Sequence, residues 1–297
     1  MHTPVLLKEV LHYLDPQPGQ NFIDATISHG GHALALWCSV QPTGKILGIE
    51  WDSDLFTRME RRIQNLGIRE NLLLVNDSYA NLEQIVSDQQ FTEIKGVLFD
   101  VGLSSWHLDE SGRGFSFRKD EGLDMRYQIT NPLTAKEIVN NWEIAKLAKI
   151  ISEWGEEKHS LPIAQAIADE REKKPIETSR QLAEIIYAAV PSWYTQQRIH
   201  PATKTFQALR IAVNDELGNV EQGLEAGFKV LAPGGKLAII TFQGLEDKLV
   251  KDFIKRHGKG EGIEMVTSGA VKPDFNKEIK FNPRARSAKL RVIKKSL

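Results

Sequence analysis

Apolar positions along the chain fall into two textures that alternate. Short continuous runs at Asn21 to Thr26, Lys45 to Glu50, Leu72 to Asn76, Gly96 to Asp100 and Lys236 to Phe242 have the length and composition of strands buried on both faces. Between them lie stripes of helical period: Leu55 to Leu66, Leu82 to Gln89, and a long run from Thr203 to Leu231 that stops at Ala232-Pro233-Gly234-Gly235. A helix from Leu245 to His257 and two further strands, Ile263 to Thr267 and Lys289 to Ile293, complete the series. Strands and helices at this spacing predict an α/β protein with a Rossmann-like parallel sheet of seven strands, covered on both faces.

The fourth and fifth strands are too far apart for one loop in a compact domain. The intervening chain carries helical periodicity at Ala135 to Asn141, Ile144 to Glu153, Ile163 to Glu172 and Arg180 to Val190. We therefore expect residues 106–199 to form an all-helical insertion in a sheet domain made of 1–105 and 200–297. It leaves the sheet at the carboxyl end of the fourth strand, where ligands bind in open α/β sheets. The stretch Asp109 to Gly122, rich in Gly, Ser and charge, is expected to be a mobile loop.

With 297 residues and 41% hydrophobic content the chain can bury a full core. Its net charge of -1 argues against a whole-surface binder of nucleic acid, so any such contact must come from a local patch. One patch runs from Lys280 to Lys295, with Lys280, Arg284, Arg286, Lys289, Arg291, Lys294 and Lys295 and no acid among them; it is either a solvated strand or a phosphate contact. Cys38, the single cysteine, falls in the apolar pattern of the helix after the first strand and is expected in the core. No segment has the apolar length of a membrane span and the N-terminus lacks the pattern of a secretory signal, which points to a cytoplasmic protein.

Candidate chemistry gathers where the strands end. The first strand breaks into Ser28-His29-Gly30-Gly31-His32, and Glu50 ends the second, about 20 residues on. The pair reads either as a tight turn or as a nucleotide-type site, in which glycines admit a ligand to the backbone and a carboxylate accepts the ribose hydroxyls. The fourth strand ends in Asp100-Val101-Gly102-Leu103-Ser104-Ser105-Trp106-His107, either acceptors over a cofactor or a capped turn. Cations interleave with aromatics in Arg113-Gly114-Phe115-Ser116-Phe117-Arg118 and in Met125-Arg126-Tyr127, a texture suited to phosphate contact with base stacking. Thr203, Lys204, Gln207 and Arg210 share one helix face after His200-Pro201, and Thr241-Phe242-Gln243-Gly244-Leu245-Glu246-Asp247 closes the fifth strand. His29, His32 and His107 lack the companions of a metal site, and no metal is expected.

These motifs, in this order, resemble the ribosomal RNA small subunit methyltransferase H family. The resemblance spans nearly the whole chain: His2 through Leu7, Asp24-Ala25-Thr26 with Gly30-Gly31-His32, Asp100 through Ser105, Arg113 through Phe117, Leu123 through Arg126, His200 through Arg210 and Asn282 through Ser287. It implies a class I methyltransferase fold using S-adenosylmethionine to methylate the N4 amine of a decoding-site cytosine, with 16S rRNA in the small ribosomal subunit as partner. It further implies that Gly30, Gly31 and His32 contact the methionine part, that Glu50 binds the ribose, and that Tyr79, Asp100 and His107 finish the pocket. The chain departs from the family pattern at Ser28 (Gly), Glu50 (Asp), Gly122 (Pro), His107 (Gln), and Gln243-Gly244 (His-Ser).

The implied chemistry is direct displacement at a sulfonium methyl. An acceptor for the amine N–H would favour attack, with Asp100 and Ser104 as candidates. Trp106, Phe115 or Phe117 would hold the unstacked base, and Arg113, Arg126, Lys204, Arg210, Arg284 and Arg286 the phosphates. Two alternatives stand beside this: a catalytically weakened RNA-binding or ribosome-assembly factor, suggested by Gln243 and Gly244, and a nicotinamide-dependent oxidoreductase, which the glycine turn and Glu50 would also suit.

Overall fold

The computed structural model describes residues 4–258 and 262–296; His2 and Thr3 of the expected N-terminal motif lie outside them. The strands are β1 (Asn21–Asp24), β2 (Ile46–Ile49), β3 (Leu72–Val75), β4 (Ile94–Asp100), β5 (Lys236–Thr241), β6 (Ile263–Met265) and β7 (Lys289–Lys295), in the spatial order β3-β2-β1-β4-β5-β7-β6. The chain reverses sheet direction from β1, so β1 and β4 flank the topological switch point at which doubly wound sheets bind ligands. One expectation needs correcting: the sheet is mixed, because β7 runs antiparallel to both β5 and β6. A parallel entry would need a crossover helix before β7; the chain instead has only short turns at Phe275–Ile279 and Pro283–Ser287.

In chain order the helices are α1 (Leu7–Leu14), α2 (Gly31–Val40), α3 (Ser53–Leu66), α4 (Leu82–Asp88), α5 (Ser105–Asp109), α6 (Ala135–Asn141), α7 (Ile144–Glu153), α8 (Ser160–Arg171), α9 (Ser179–Ala189), α10 (Ser192–Thr195), α11 (Ala202–Asn214), α12 (Glu216–Val230) and α13 (Gly244–His257). Two compact units divide the chain: Met1–Gly102 with Leu217–Leu297, and Leu103–Glu216. The second is wider than the expected 106–199. It takes α11 with it because that helix packs on α6, α7 and α9.

In the first unit, successive strand residues alternate between two apolar layers. Phe22, Leu98, Ala238 and Ile240 join Val10, Leu36 and Met59 on one face, and Ile23, Val97, Phe99 and Ile239 join Leu82, Val220 and Phe253 on the other. Helix ends follow local chemistry where caps exist: the Asp52 carboxylate accepts from the Asp54 and Leu55 N–H groups to start α3, and Gly67 ends it at φ 66°. Cys38 is exposed rather than buried, since the core face of α2 is Ala33, Leu36 and Val40.

The second unit corrects two further expectations. The run Thr203 to Leu231 is broken at Asp215, which sits at φ 46° and ends α11. The break lets Asn214 turn inward, where it accepts from the Tyr127 N–H (2.8 Å) and donates to the Met125 carbonyl (2.8 Å). The stretch Asp109 to Gly122 is tied down rather than loose. Ser179 donates to the Lys119 carbonyl (2.9 Å) through its hydroxyl and to the Glu121 carbonyl (2.8 Å) through its backbone, while Gly114 donates to Glu121 Oε2 (3.0 Å). Gly114 itself is required: at φ 71° a Cβ would lie 2.3 Å from the Gly122 carbonyl oxygen.

Candidate active site

Three carboxylates close the carboxyl edges of β1, β2 and β4: Asp24, Glu50 and Asp100. Asp24 is 1% exposed and Glu50 8%, whereas the Asp100 side chain keeps 24% of its surface open. Asp24 accepts from the Thr26 N–H (3.2 Å), and the Thr26 hydroxyl accepts from the Asp100 N–H (2.7 Å), which locks the β1 and β4 ends together. Glu50 accepts from the Ser28 N–H through Oε2 (2.9 Å) and from the Asp52 N–H through Oε1 (2.8 Å). Each Glu50 oxygen retains a second lone pair, the geometry a ribose diol can use.

Burial dominates the acidity of all three. It raises Asp24 to about 7, against hydrogen bonds from Thr26 and Ala33 that pull the other way. It raises Glu50 to about 8, again opposed by backbone donors. Asp100 goes to about 8 through burial and then through the charges of Asp24, Glu246 and Glu278. Among the described residues Asp100 has no donor to offset this: its Oδ1 is buried without a hydrogen-bond partner from them, where such atoms are ordinarily satisfied. The remaining neighbour is His32, whose Nδ1 lies 3.7 Å from Asp100 Oδ2. The Val5 carbonyl, 2.9 Å from His32 Nε2, can only accept, so Nε2 carries the proton and holds the ring toward Asp100. The edge is short of positive charge and of a donor, which a cationic ligand would supply.

Packing also accounts for glycine in this turn. Gly30 sits at φ 74° and a Cβ there would lie 2.3 Å from Met59 Cε; one on Gly31 would lie 2.3 Å from Pro4 Cγ. Both are fixed by packing on α3 and on the N-terminal segment, which presents their backbone at the β1 end. Ser28 adopts φ 46°, a left-handed conformation that glycine takes freely and serine at a cost. The partly buried Tyr79 ring meets Phe99 edge-on at 5.6 Å and covers Gly223, packed against the layer that holds Ile23 and Phe99. Gln243 and Glu246 form a capping box that opens α13, Glu246 Oε2 accepting from the Phe242 N–H (2.8 Å).

In the second unit most predicted site residues serve the fold. Ser104 caps α5, its hydroxyl 3.0 Å from His107 Nδ1, and the buried His107 ring packs between Trp106, Phe115 and Tyr127. Trp106 and Phe115 are themselves core, which leaves Phe117, stacked on His200 at 4.5 Å, as the partly exposed aromatic of the three. Arg113 is buried and donates to the Arg126 and Tyr127 carbonyls (2.9 and 3.1 Å). Arg210 forms a two-pronged pair with Glu216 (2.6 and 2.9 Å), and the Tyr127 hydroxyl donates to the same carboxylate (2.9 Å). Arg126 pairs with Asp124 and also donates to the Ile129 and Asn131 carbonyls (both 2.7 Å); Lys204 donates to the Glu156 carbonyl (2.8 Å). Arg284 and Arg286, back in the first unit, are exposed.

The sequence pattern overlooked Asp24, Glu246 and Glu278 as members of the acidic edge. The first two stand in motifs already singled out, but Glu278 gives no local signal: its Oε1 accepts from the Leu6 N–H (2.8 Å), 272 residues away. Among the described residues no group of three His, Cys, Asp or Glu could hold a metal ion, and no helix is long and apolar enough to cross a membrane.

Residues 1–296 match the MraW methylase family. The chain is 41% identical to ribosomal RNA small subunit methyltransferase H of Symbiobacterium thermophilum, covering 99% of this chain and 96% of that one. It is likewise 41% identical to the protein of that name from Dictyoglomus thermophilum, covering 98% and 96%. A crystal structure described as a candidate rRNA methylase from Clostridium thermocellum superposes with a TM-score of 0.50 at 14% identity over 99% of this chain and all of that one, a likeness of fold. The acidic switch-point edge thus sits on a methyltransferase sheet, and the chain belongs to the MraW methylase family.

Proposed function

We propose that this protein transfers a methyl group from S-adenosylmethionine to the exocyclic N4 of a cytosine in the decoding region of 16S rRNA, acting on the small ribosomal subunit in the cytoplasm. The observation that carries the reading is the buried, partnerless Oδ1 of Asp100 among carboxylates raised in pKa by burial. A sulfonium offers the positive charge this edge lacks; a nicotinamide dinucleotide, with two phosphates, would add to its negative charge. When bound, the cofactor would supply an electrophilic methyl on a sulfonium, whose sulfur would leave as a neutral thioether as the positive charge passes to the attacking nitrogen.

The chain's own residues do the rest. Glu50 accepts the ribose hydroxyls, and the Gly30-Gly31 backbone with His32 lines the methionine side. Asp100 accepts a hydrogen bond from the attacking amine, drawing its lone pair out of conjugation with the ring, and takes the proton once the nitrogen becomes cationic. His32, held by Val5, lines the pocket beside that carboxylate. The Ser104 hydroxyl is engaged with His107 and is left out of this step. The family membership, and relatives named for small-subunit rRNA, support the substrate class.

The test is methyl transfer from labelled cofactor to small subunits purified from cells lacking the modification, with the product mapped by nuclease digestion and mass spectrometry. The reading expects N4-methylcytosine at one decoding-region position. Cofactor binding without incorporation would contradict it and favour a noncatalytic assembly factor.

A further inference from the structure

The connection from β6 to β7 carries two large apolar side chains on the surface: Phe275 is 62% exposed and Phe281 77%. Exposing a phenyl ring forfeits its burial energy, and two within seven residues mark a contact surface. The same stretch holds Lys277, Lys280, Arg284 and Arg286, all exposed. Its acids are turned to structural work: Asp274 accepts from the Asn276 and Lys277 N–H groups (2.8 and 3.0 Å), and Glu278 accepts from Leu6. From Phe275 to Arg286 the exposed charges are all cations, set among exposed rings. The Lys280 ammonium stands 5.8 Å from the centroid of the Phe281 ring, a cation set beside a stacking face.

We propose that this stretch, Phe275 to Arg286, is a docking platform for single-stranded RNA, on which Phe275 and Phe281 stack bases while the four cations contact phosphates; it rests on the rRNA-methylation reading above. Charge complementarity and ring exposure together select this partner, since bases offer faces to stack on and the backbone offers the anions. The platform is held firm. Val271 bridges Leu290, Ala285 and Ala288 are buried in the layer beneath, and Glu278 pins the stretch to Leu6. Leu6 follows Val5, whose carbonyl orients His32 beside Asp100. RNA seated here is thus linked to Asp100 through Glu278–Leu6, Val5–His32 and His32–Asp100.

The experiment uses the full chain and three proteins: wild type, F275A/F281A and K277A/K280A. Affinity for a fluorescent single-stranded decoding-region RNA is measured across salt, with kcat and KM on small subunits and S-adenosylhomocysteine binding as the folding control. Removing both rings should weaken RNA binding and raise KM by about 5- to 150-fold per stacked base, with kcat and cofactor affinity unchanged. Removing the lysines should lower the salt slope by about one per phosphate contact. Wild-type turnover with both variants unaffected would overturn the platform, as would an effect confined to self-association in sedimentation. Ring-dependent RNA binding by a wild type that methylates no subunit would sustain the platform and sink the functional reading instead.

Discussion

Both units bury charge, but they treat it oppositely. In the helical unit Arg113, the Arg210–Glu216–Tyr127 group and the Glu157–Tyr194 pair, with a 2.6 Å bond, are each hydrogen-bonded. Burial, helped by Glu157, pushes the Tyr194 hydroxyl up to about 12, so it stays a donor at any working pH. At the sheet edge Asp24, Glu50 and Asp100 lie together with no Lys or Arg paired to them among the described residues, and one Asp100 oxygen has no donor there. Buried charge therefore does not by itself mark a functional site. Incomplete satisfaction of a buried charge is what separates Asp100 from Arg210, although both stand in motifs of comparable texture.

The sharpest way to break this contrast is to remove one group from each side. Asp100→Asn should lower kcat on small subunits by about 10²- to 10⁴-fold, the range for a lost proton acceptor, while leaving the fold at least as stable to urea, since Asn carries none of the cost of ionising a buried acid. Arg210→Ala should do the reverse, costing about 3–5 kcal/mol in urea unfolding because the buried Glu216 carboxylate loses its two-pronged ion-pair partner, with kcat of the folded fraction preserved. A stable Arg210→Ala with abolished turnover would erase the distinction.

Acidity sharpens it further. The folded pKa values of Asp24, Glu50 and Asp100 lie above those of an unfolded chain, so unfolding favours ionisation and stability without ligand should fall as pH rises from about 4 to about 8. In the other direction, Arg291 and Lys289 outweigh burial and hold the Asp247 carboxyl below its usual range, so that pair contributes stability lost only in acid. Melting temperature against pH checks both limbs. The smallest effect concerns Ser28: Ser28→Gly should relieve its left-handed backbone and raise stability by about 0.5–1 kcal/mol in the same urea assay.

What was legible in the sequence follows the same division. Strand runs and the helices Ala135–Asn141 and Ile144–Glu153 were readable because local period and burial coincide there. Helix α1 was not: Leu6 starts it with no capping side chain of its own, and the acceptor for its N–H comes from Glu278. The break at Asp215 was hidden because apolar periodicity continues across it, while its cause is the burial of Asn214 and Glu216. At the site, Asp100 and Glu50 could be found as carboxylates at strand ends. The inward turn of Arg113 and Arg210 could not, since a sequence shows a cation and hides the carboxylate or carbonyl that claims it.

The central claim is that Asp100 and its neighbours await a cation. Calorimetry of S-adenosylmethionine and uncharged S-adenosylhomocysteine binding at pH 6 and pH 9, with wild type and Asp100→Asn, tests it directly. The account predicts that the wild type's preference for the sulfonium grows as pH rises and that Asp100→Asn flattens this growth. Equal pH dependence for the two ligands, or an unchanged profile in Asp100→Asn, would contradict it.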